Sequence, residues 1–332
     1  MITRRVLVTG GSGFVGARLI ERLRAAGWMV RALGRTPQAL ARVAALGAEA
    51  AAGDLDDAAS LERAVQDCDA VLHVAALFKL WGDSRDFEKA NVQGTRRLLD
   101  AARAAGTVRR FVQVGAAAVV MGDMEPMLRA NEQLPRQERV WAPYSASKAR
   151  SEALVLAASV PGSFETVVVR PPMIWGVGMP TLDHMAQTVR SGQFRWVGDG
   201  SQAMSTAHVD NVCHAACLAL ERGRTGEAYF VSDGRDGTLR EVICAFLATR
   251  GIEPPKSSAP LPVAWTLARA MEWIWRTFGR AGEPPITRQM LRLIGQPFTL
   301  DITKAERELG YRPIVSWEQG LAAMRTPGSA RA

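Results

Sequence analysis

The sequence predicts an α/β protein: a doubly wound parallel sheet followed by a smaller, mixed C-terminal domain. Three observations carry this. Val6-Leu7-Val8-Thr9 is an apolar strand running into Gly10-Gly11-Ser12-Gly13-Phe14-Val15-Gly16, a glycine turn that opens a helix. The first half then alternates short apolar runs with helical periodicity, the pattern of a parallel sheet covered on both faces. From Pro171 the alternation loosens into stretches rich in Gly, Pro and Trp.

In chain order, strands are expected at 28–34, 49–52, 70–75, 110–117 and 166–170, and helices at 37–46, 87–105 and 144–159. A helix at 208–221 and a strand at 227–232 are expected to return to the sheet. This divides the chain into a dinucleotide-binding domain, 1–170 with 201–232, and a substrate domain, 171–200 with 233–325. Residues 326–332 read as a loose tail. No internal repeat is visible.

Composition narrows the function. At 332 residues, 48% hydrophobic and 22% charged, the chain is an ordinary globular protein with a large core. Its net charge of +8 comes from 36 Arg and five Lys against 33 acids. No basic run or aromatic-basic stripe accompanies it, which argues against a nucleic-acid partner. Cys213, His214 and Cys217 share one helix but lack a second ligand pair, so no metal is expected. Strand-forming residues begin near Met1 and no apolar run is long enough to span a bilayer. A cytoplasmic protein is the expectation, with contact to a membrane surface as an addition.

The glycine turn has a chemical reading. Glycines let the backbone turn tightly and approach a pyrophosphate, and the helix opening near Phe14 points free N–H groups at the anion. Gly10, Ser12, Gly13, Phe14, Val15 and Gly16 are therefore expected to bind a dinucleotide. An NAD-selective site places an acid at the end of strand two, where it accepts from the ribose hydroxyls. That position holds Gly34, followed by Arg35. A guanidinium there pairs with a 2′-phosphate, so NADP(H) is favoured and NAD(H) is the alternative.

Tyr144 and Lys148 stand four apart on a helix whose start is marked by Pro143, and so share one face. A free tyrosine titrates near ~10. A neighbouring ammonium, a cationic nicotinamide and the positive helix end favour the phenolate, which would make Tyr144 a general acid/base with Lys148 as its electrostatic partner.

These residues together resemble an extended short-chain dehydrogenase/reductase of the Rossmann type. The likeness runs through Asp54-Leu55, His73 to Ala76, Asn91-Val92-Gln93-Gly94-Thr95, Arg170-Pro171-Pro172, His208-Val209-Asp210 and Leu309-Gly310-Tyr311-Arg312-Pro313. Within that superfamily the chain is most similar to the 3β-hydroxysteroid and sterol dehydrogenases, dihydroflavonol reductase-like enzymes and β-keto acid reductases. The resemblance implies that Asp54 and Leu55 border the adenine and that Ala75 and Ala76 line the ribose side. It also implies cofactor contacts at Pro171, Met173 and Ile174, a nicotinamide ribose anchored by Lys148, and a homodimer paired through helices 87–105 and 144–159. One position departs from the pattern. Where the family has a Ser or Thr that bonds the reacting oxygen, this chain has Ala117, and no hydroxyl occurs from Val114 to Gly122.

On the substrate side, Phe78, Trp81, Trp175 and Met179 are expected in an apolar cleft, with Arg195 as partner for a substrate anion. The stretch 261–280 repeats Trp265, Ala268, Trp275 and Phe278 at helical spacing. It reads either as a packed amphipathic helix or as a lid or membrane-surface helix. The expectation is an NADP(H)-preferring oxidoreductase interconverting an alcohol and a ketone on a bulky apolar molecule, either sterol-like (including a 4-carboxysterol that loses CO2 on oxidation) or an alkyl β-keto acid. A sugar-nucleotide epimerase or dehydratase, and a cofactor-binding protein without turnover, are the alternatives.

Overall fold

A computed structural model describes residues 4–325 except 124, 140 and 255; the expected tail, 326–332, lies outside the described residues. From the N-terminus, β1 (Arg5–Thr9), α1 (Phe14–Ala25), β2 (Met29–Gly34), α2 (Pro37–Ala45), β3 (Glu49–Ala52), α3 (Ala58–Val65) and β4 (Ala70–His73) alternate. Next, α4 (Ser84–Phe87) passes through a π-helical stretch, Glu88–Gln93, into α5 (Gly94–Ala104) and then β5 (Arg110–Val114). A 3₁₀ turn (Ala117–Val120) and β6 (Met127–Ala130) lead to α6 (Pro143–Ala157) and β7 (Glu165–Arg170). There follow β8 (Met173–Trp175), α7 (Pro180–Arg190), β9 (Trp196–Val197), β10 (Ala203–His208), α8 (Val209–Arg222) and β11 (Glu227–Phe230). The chain closes with β12 (Asp236–Thr238), α9 (Leu239–Ala248), β13 (Ser258–Ala259), α10 (Leu261–Phe278), α11 (Arg288–Ile294), β14 (Phe298–Leu300), α12 (Thr303–Leu309) and α13 (Trp317–Arg325).

Seven strands form the main sheet in the order β11-β7-β5-β4-β1-β2-β3, every neighbouring pair parallel. Val6, Leu7, Val8, Val71, Leu72, Val167 and Val168 are fully buried, as strands covered by helices on both faces must be. Strand order reverses between β1 and β4, and the crevice beyond their C-terminal ends is where such sheets bind ligands. A smaller sheet runs β12-β10-β14-β6, with β8 paired to β10, and β13 pairs with β9.

The link between the layers is a carboxylate. Asp233 accepts from Trp175 Nε1 (2.6 Å), Thr206 Oγ1 (2.8 Å), the His208 amide (2.6 Å) and Asn211 Nδ2 (2.8 Å). It thereby ties β8 and β10 to α8, which packs on α1. His208 ends β10 and caps α8 by accepting from the Asp210 amide, so the helix expected from His208 begins one residue later.

Two expected elements are shorter. The helix expected over 87–105 is interrupted by the π stretch, whose wider turn carries Asn91 into the interior, where it is 2% exposed. The strand expected over 110–117 ends at Val114, because Ala117 turns away to donate its amide to the Pro171 carbonyl (2.8 Å).

Candidate active site

The glycine turn sits at the strand reversal. Gly10 has φ +72°, a region L-residues rarely adopt, and a Cβ there would lie 2.8 Å from the Ala75 amide nitrogen. A Cβ at Gly16 would collide with the Gly10 carbonyl. The cradle is thus closed to side chains on the side where β1 and β4 meet. Gly13 precedes α1 without a capping side chain, and the first turn of α1 carries no acid, so its N–H groups and positive end face outward unneutralised. These features fit the pyrophosphate of a dinucleotide. Ser12, Phe14 and Val15 flank the cradle, each partly exposed, with Ala75 and Ala76 across from it.

At the far end of the crevice, Arg35 and Asp54 face each other, Nη1 to Oδ2 3.9 Å, with Arg35 74% exposed. At position 34 a Cβ would press on a Leu40 methyl at 2.9 Å. Leu55 packs against Gly94 at the head of α5.

Pro143 starts α6 at its first position, and α6 delivers Tyr144 and Lys148 to the end of β5. Lys148 is buried and donates to the Val114 carbonyl (3.0 Å). Burial pushes its pKa down to about 8, while the Glu152 carboxylate one turn on pulls it back up. Glu152 is itself fully buried, holding Arg170 at 2.5 and 2.9 Å. Tyr144 is half-buried beneath Phe78, and burial pushes its phenol up to about 12. Burial thus acts against the phenolate, and the Lys148 ammonium is turned to Val114. Ala117 is fully buried.

Behind these residues lies a buried polar chain. His73 Nδ1 bonds Thr9 Oγ1 (2.7 Å) and Nε2 bonds Thr95 Oγ1 (2.8 Å). Thr95 gives its own proton to the Asn91 carbonyl (2.6 Å), so Nε2 is the imidazole donor and Nδ1 the acceptor. Burial, reinforced by the Lys148 charge, pushes His73 down to about 3. Asn91 was not singled out for a role from the sequence. Its side chain accepts from the Leu77 amide (2.7 Å) and donates to the Leu77 carbonyl (3.1 Å) and Ser147 Oγ (2.9 Å). It therefore ties the loop that carries Phe78 to the helix that carries Tyr144. A π stretch is often found at such sites, but sequence periodicity does not show one.

The residues expected on the substrate side divide. Phe78 is 50% exposed, edge-on to Tyr144, and Trp81 lies under the Arg276 guanidinium at 5.1 Å. Met173 and Ile174 in β8 are half-buried near Pro171. Trp175 and Met179 instead sit in the core of the smaller domain, where Trp175 is fully buried among His208, Phe246 and Trp317. Arg195 is exposed and donates to the carbonyls of Gly192 and Phe194, both 2.7 Å away. Cys213 is buried beneath the Val15 carbonyl, and His214 meets Arg22 at 2.9 Å. No group of acids, Cys and His that could hold a metal occurs among the described residues. No helix among them is long and apolar enough to cross a membrane.

A parallel sheet with this strand order, a glycine cradle at its reversal and a Tyr-x-x-x-Lys helix at the end of β5 define an extended short-chain dehydrogenase/reductase, an oxidoreductase dependent on a nicotinamide dinucleotide. Comparison with known proteins agrees. Residues 7–263 match the model of the 3-beta hydroxysteroid dehydrogenase/isomerase family, and the chain belongs to that family. It is 41% identical over 327 residues (98% of this chain, 97% of the relative) to a 4-hydroxy-2-methyl-3-oxo-4-farnesyl-3,4-dihydroquinoline-1-oxide ketoreductase of Stigmatella aurantiaca. It is 35% identical over 334 residues (98% and 100%) to a 2-alkyl-3-oxoalkanoate reductase of Stenotrophomonas maltophilia. Among solved structures it is similar to the dTDP-glucose 4,6-dehydratase DesIV of Streptomyces venezuelae, with NAD bound, at TM-score 0.74, 28% identity and coverage of 97% and 95%.

Proposed function

We propose that this chain is an NADPH-preferring ketoreductase acting on a bulky, apolar β-keto compound. The observation that carries the reading is the state of Tyr144. A phenol held near 12 under an aromatic ring is a proton donor at neutral pH, which suits reduction of a ketone. The names of the two relatives, a ketoreductase and a 3-oxoalkanoate reductase, support the same direction. A sterol-like substrate is the second choice, supported by the family.

In this reading the bound nicotinamide dinucleotide supplies hydride to the substrate carbon. Tyr144 gives its proton to the substrate oxygen. Lys148 stays charged at neutral pH, holds the nicotinamide ribose and stabilises the phenolate left behind. The glycine cradle, Ser12, Phe14 and Val15 hold the pyrophosphate, and Arg35, released from the exposed pairing with Asp54, takes the 2′-phosphate. Pro171, Met173 and Ile174 close over the nicotinamide end, and Phe78 and Trp81 meet the apolar body. Ala117 offers no hydroxyl to the reacting oxygen, a loss on the order of 3 kcal/mol by comparison with a missing oxyanion donor. Exposed Val263, Leu267, Trp273 and Phe278 on α10 support contact with a membrane surface, and a homodimer through α5 and α6 completes the reading.

The test is NADPH oxidation with long-chain 2-alkyl-3-oxo acids, keto-sterols and UDP-glucose. Reduction of the first class is expected. Conversion of UDP-glucose with NAD retained through purification would replace this reading by the epimerase one. Tight NADPH binding with every class untouched would leave a binding protein.

A further inference from the structure

Four residues of α10 fall on one stripe, Trp265, Ala268, Glu272 and Arg276, spaced three, four and four apart. Ala268 and Glu272 in its middle are buried, and Glu272 is spent on Arg288 at 2.7 Å. The two ends reach different segments. Trp265 stands edge-on to Trp141, centroids 5.2 Å apart, and the Arg276 guanidinium lies 5.1 Å from the centre of the Trp81 ring. These ends are three turns apart, about 16 Å along the axis. Trp141 is three residues before Tyr144. Trp81 is three residues after Phe78, which touches Tyr144. The helix therefore joins the segment just before Tyr144 to the loop that carries Phe78, with its outward face exposed.

We infer that α10 is the roof of the substrate chamber and that Arg276 and Trp81 form the clasp that closes it, setting how bulky an apolar substrate is held against Tyr144. This rests on the ketoreductase reading and deepens it by naming residues that set specificity. Among the described residues both ends are aromatic contacts without a carboxylate partner: Glu272, the acid one turn from Arg276, already serves Arg288. A cation over an indole face is a modest attraction in exposed surroundings, so such a clasp opens and recloses. A guanidinium also stacks on an aromatic plane in a way an ammonium does not. The long tail of a substrate would lie against Trp81 beneath the Arg276 end of α10, and a short ketone would not reach it.

The experiment compares the full-length native protein with Arg276→Met, Arg276→Lys and Trp81→Leu, each with NADPH bound. Hydrogen–deuterium exchange is followed in peptides covering 77–87, and kcat/KM is measured for a long-chain and a short-chain β-keto ester. With the clasp gone in Arg276→Met, exchange in 77–87 rises about fivefold although the substitution lies on α10. The long-to-short ratio of kcat/KM falls by a similar factor, through KM. Arg276→Lys recovers part of both, and Trp81→Leu matches Arg276→Met. Unchanged exchange in 77–87 in both Arg276→Met and Trp81→Leu would overturn the clasp. Exchange is read without turnover, so a native protein that reduces no ketone counts against the ketoreductase reading and leaves the clasp to the exchange result.

Discussion

Phe78 stands edge-on to Tyr144, ring centroids 4.9 Å apart at 84°. The contact joins the loop after β4 to the start of α6. Burial of Tyr144 removes water that would stabilise a phenolate and pushes its phenol up to about 12. The same loop is pinned from behind by Asn91, through the Leu77 amide and carbonyl and through Ser147. The position of Tyr144 thus depends on the same loop that Asn91 holds.

Lys148 gives the pH dependence. Burial lowers it to about 8, so its charge is present below that pH and lost above it, while Tyr144 stays protonated to about 12. Log kcat/KM for ketone reduction is expected to bend downward near pH 8, with slope approaching −1. A profile flat to pH 10 would contradict this role for Lys148.

The proposed preference for NADPH rests on Arg35. Its only ion pair among the described residues is the long, exposed one with Asp54, which holds it weakly. Arg35→Ala is expected to raise KM for NADPH by about 10- to 100-fold, the loss of a charge-assisted bond, and to leave KM for NADH within about twofold. Equal changes for both cofactors would place the 2′-phosphate elsewhere.

His73 contributes to acid unfolding. Its folded pKa, about 3, lies below the ordinary 6.5, so the unfolded chain takes the proton first. Stability is complete above pH 6.5 and lost as the pH falls toward 3, by about 3 kcal/mol between 6.5 and 4. His73→Asn is expected to be less stable at pH 8 yet to lose less over that interval in urea melts. Parallel losses in the two proteins would show that His73 does not titrate on unfolding.

The main sheet was legible in the sequence because its strands are apolar runs between helical periods, and six-residue β7 (Glu165–Arg170) is a clear case. The glycine cradle and the Tyr144–Lys148 pair were legible because each depends on fixed local spacing. The smaller sheet was not, because strands such as β9 (Trp196–Val197) and β14 (Phe298–Leu300) are too short to show a period. Trp175 reads as a cleft residue because its segment is one this architecture aims at the cleft, and only tertiary packing reveals that its indole N–H is bound to Asp233. Glu272, buried and paired with Arg288, was not singled out from the sequence, because the partner lies sixteen residues on and outside the helix. Arg276 over Trp81 joins residues almost two hundred positions apart, and no local pattern points to it.

The central claim is that Tyr144 protonates a ketone held beneath Phe78. The most direct measurement is single-turnover NADPH oxidation with a long-chain 2-alkyl-3-oxo ester, in the native protein and in Tyr144→Phe, with NADPH affinity measured in both by fluorescence. The account predicts a loss of about 10²- to 10⁴-fold in the rate of hydride transfer with NADPH affinity unchanged within about twofold. Hydride transfer that survives Tyr144→Phe within about threefold would contradict it, and the proton would then come from another group.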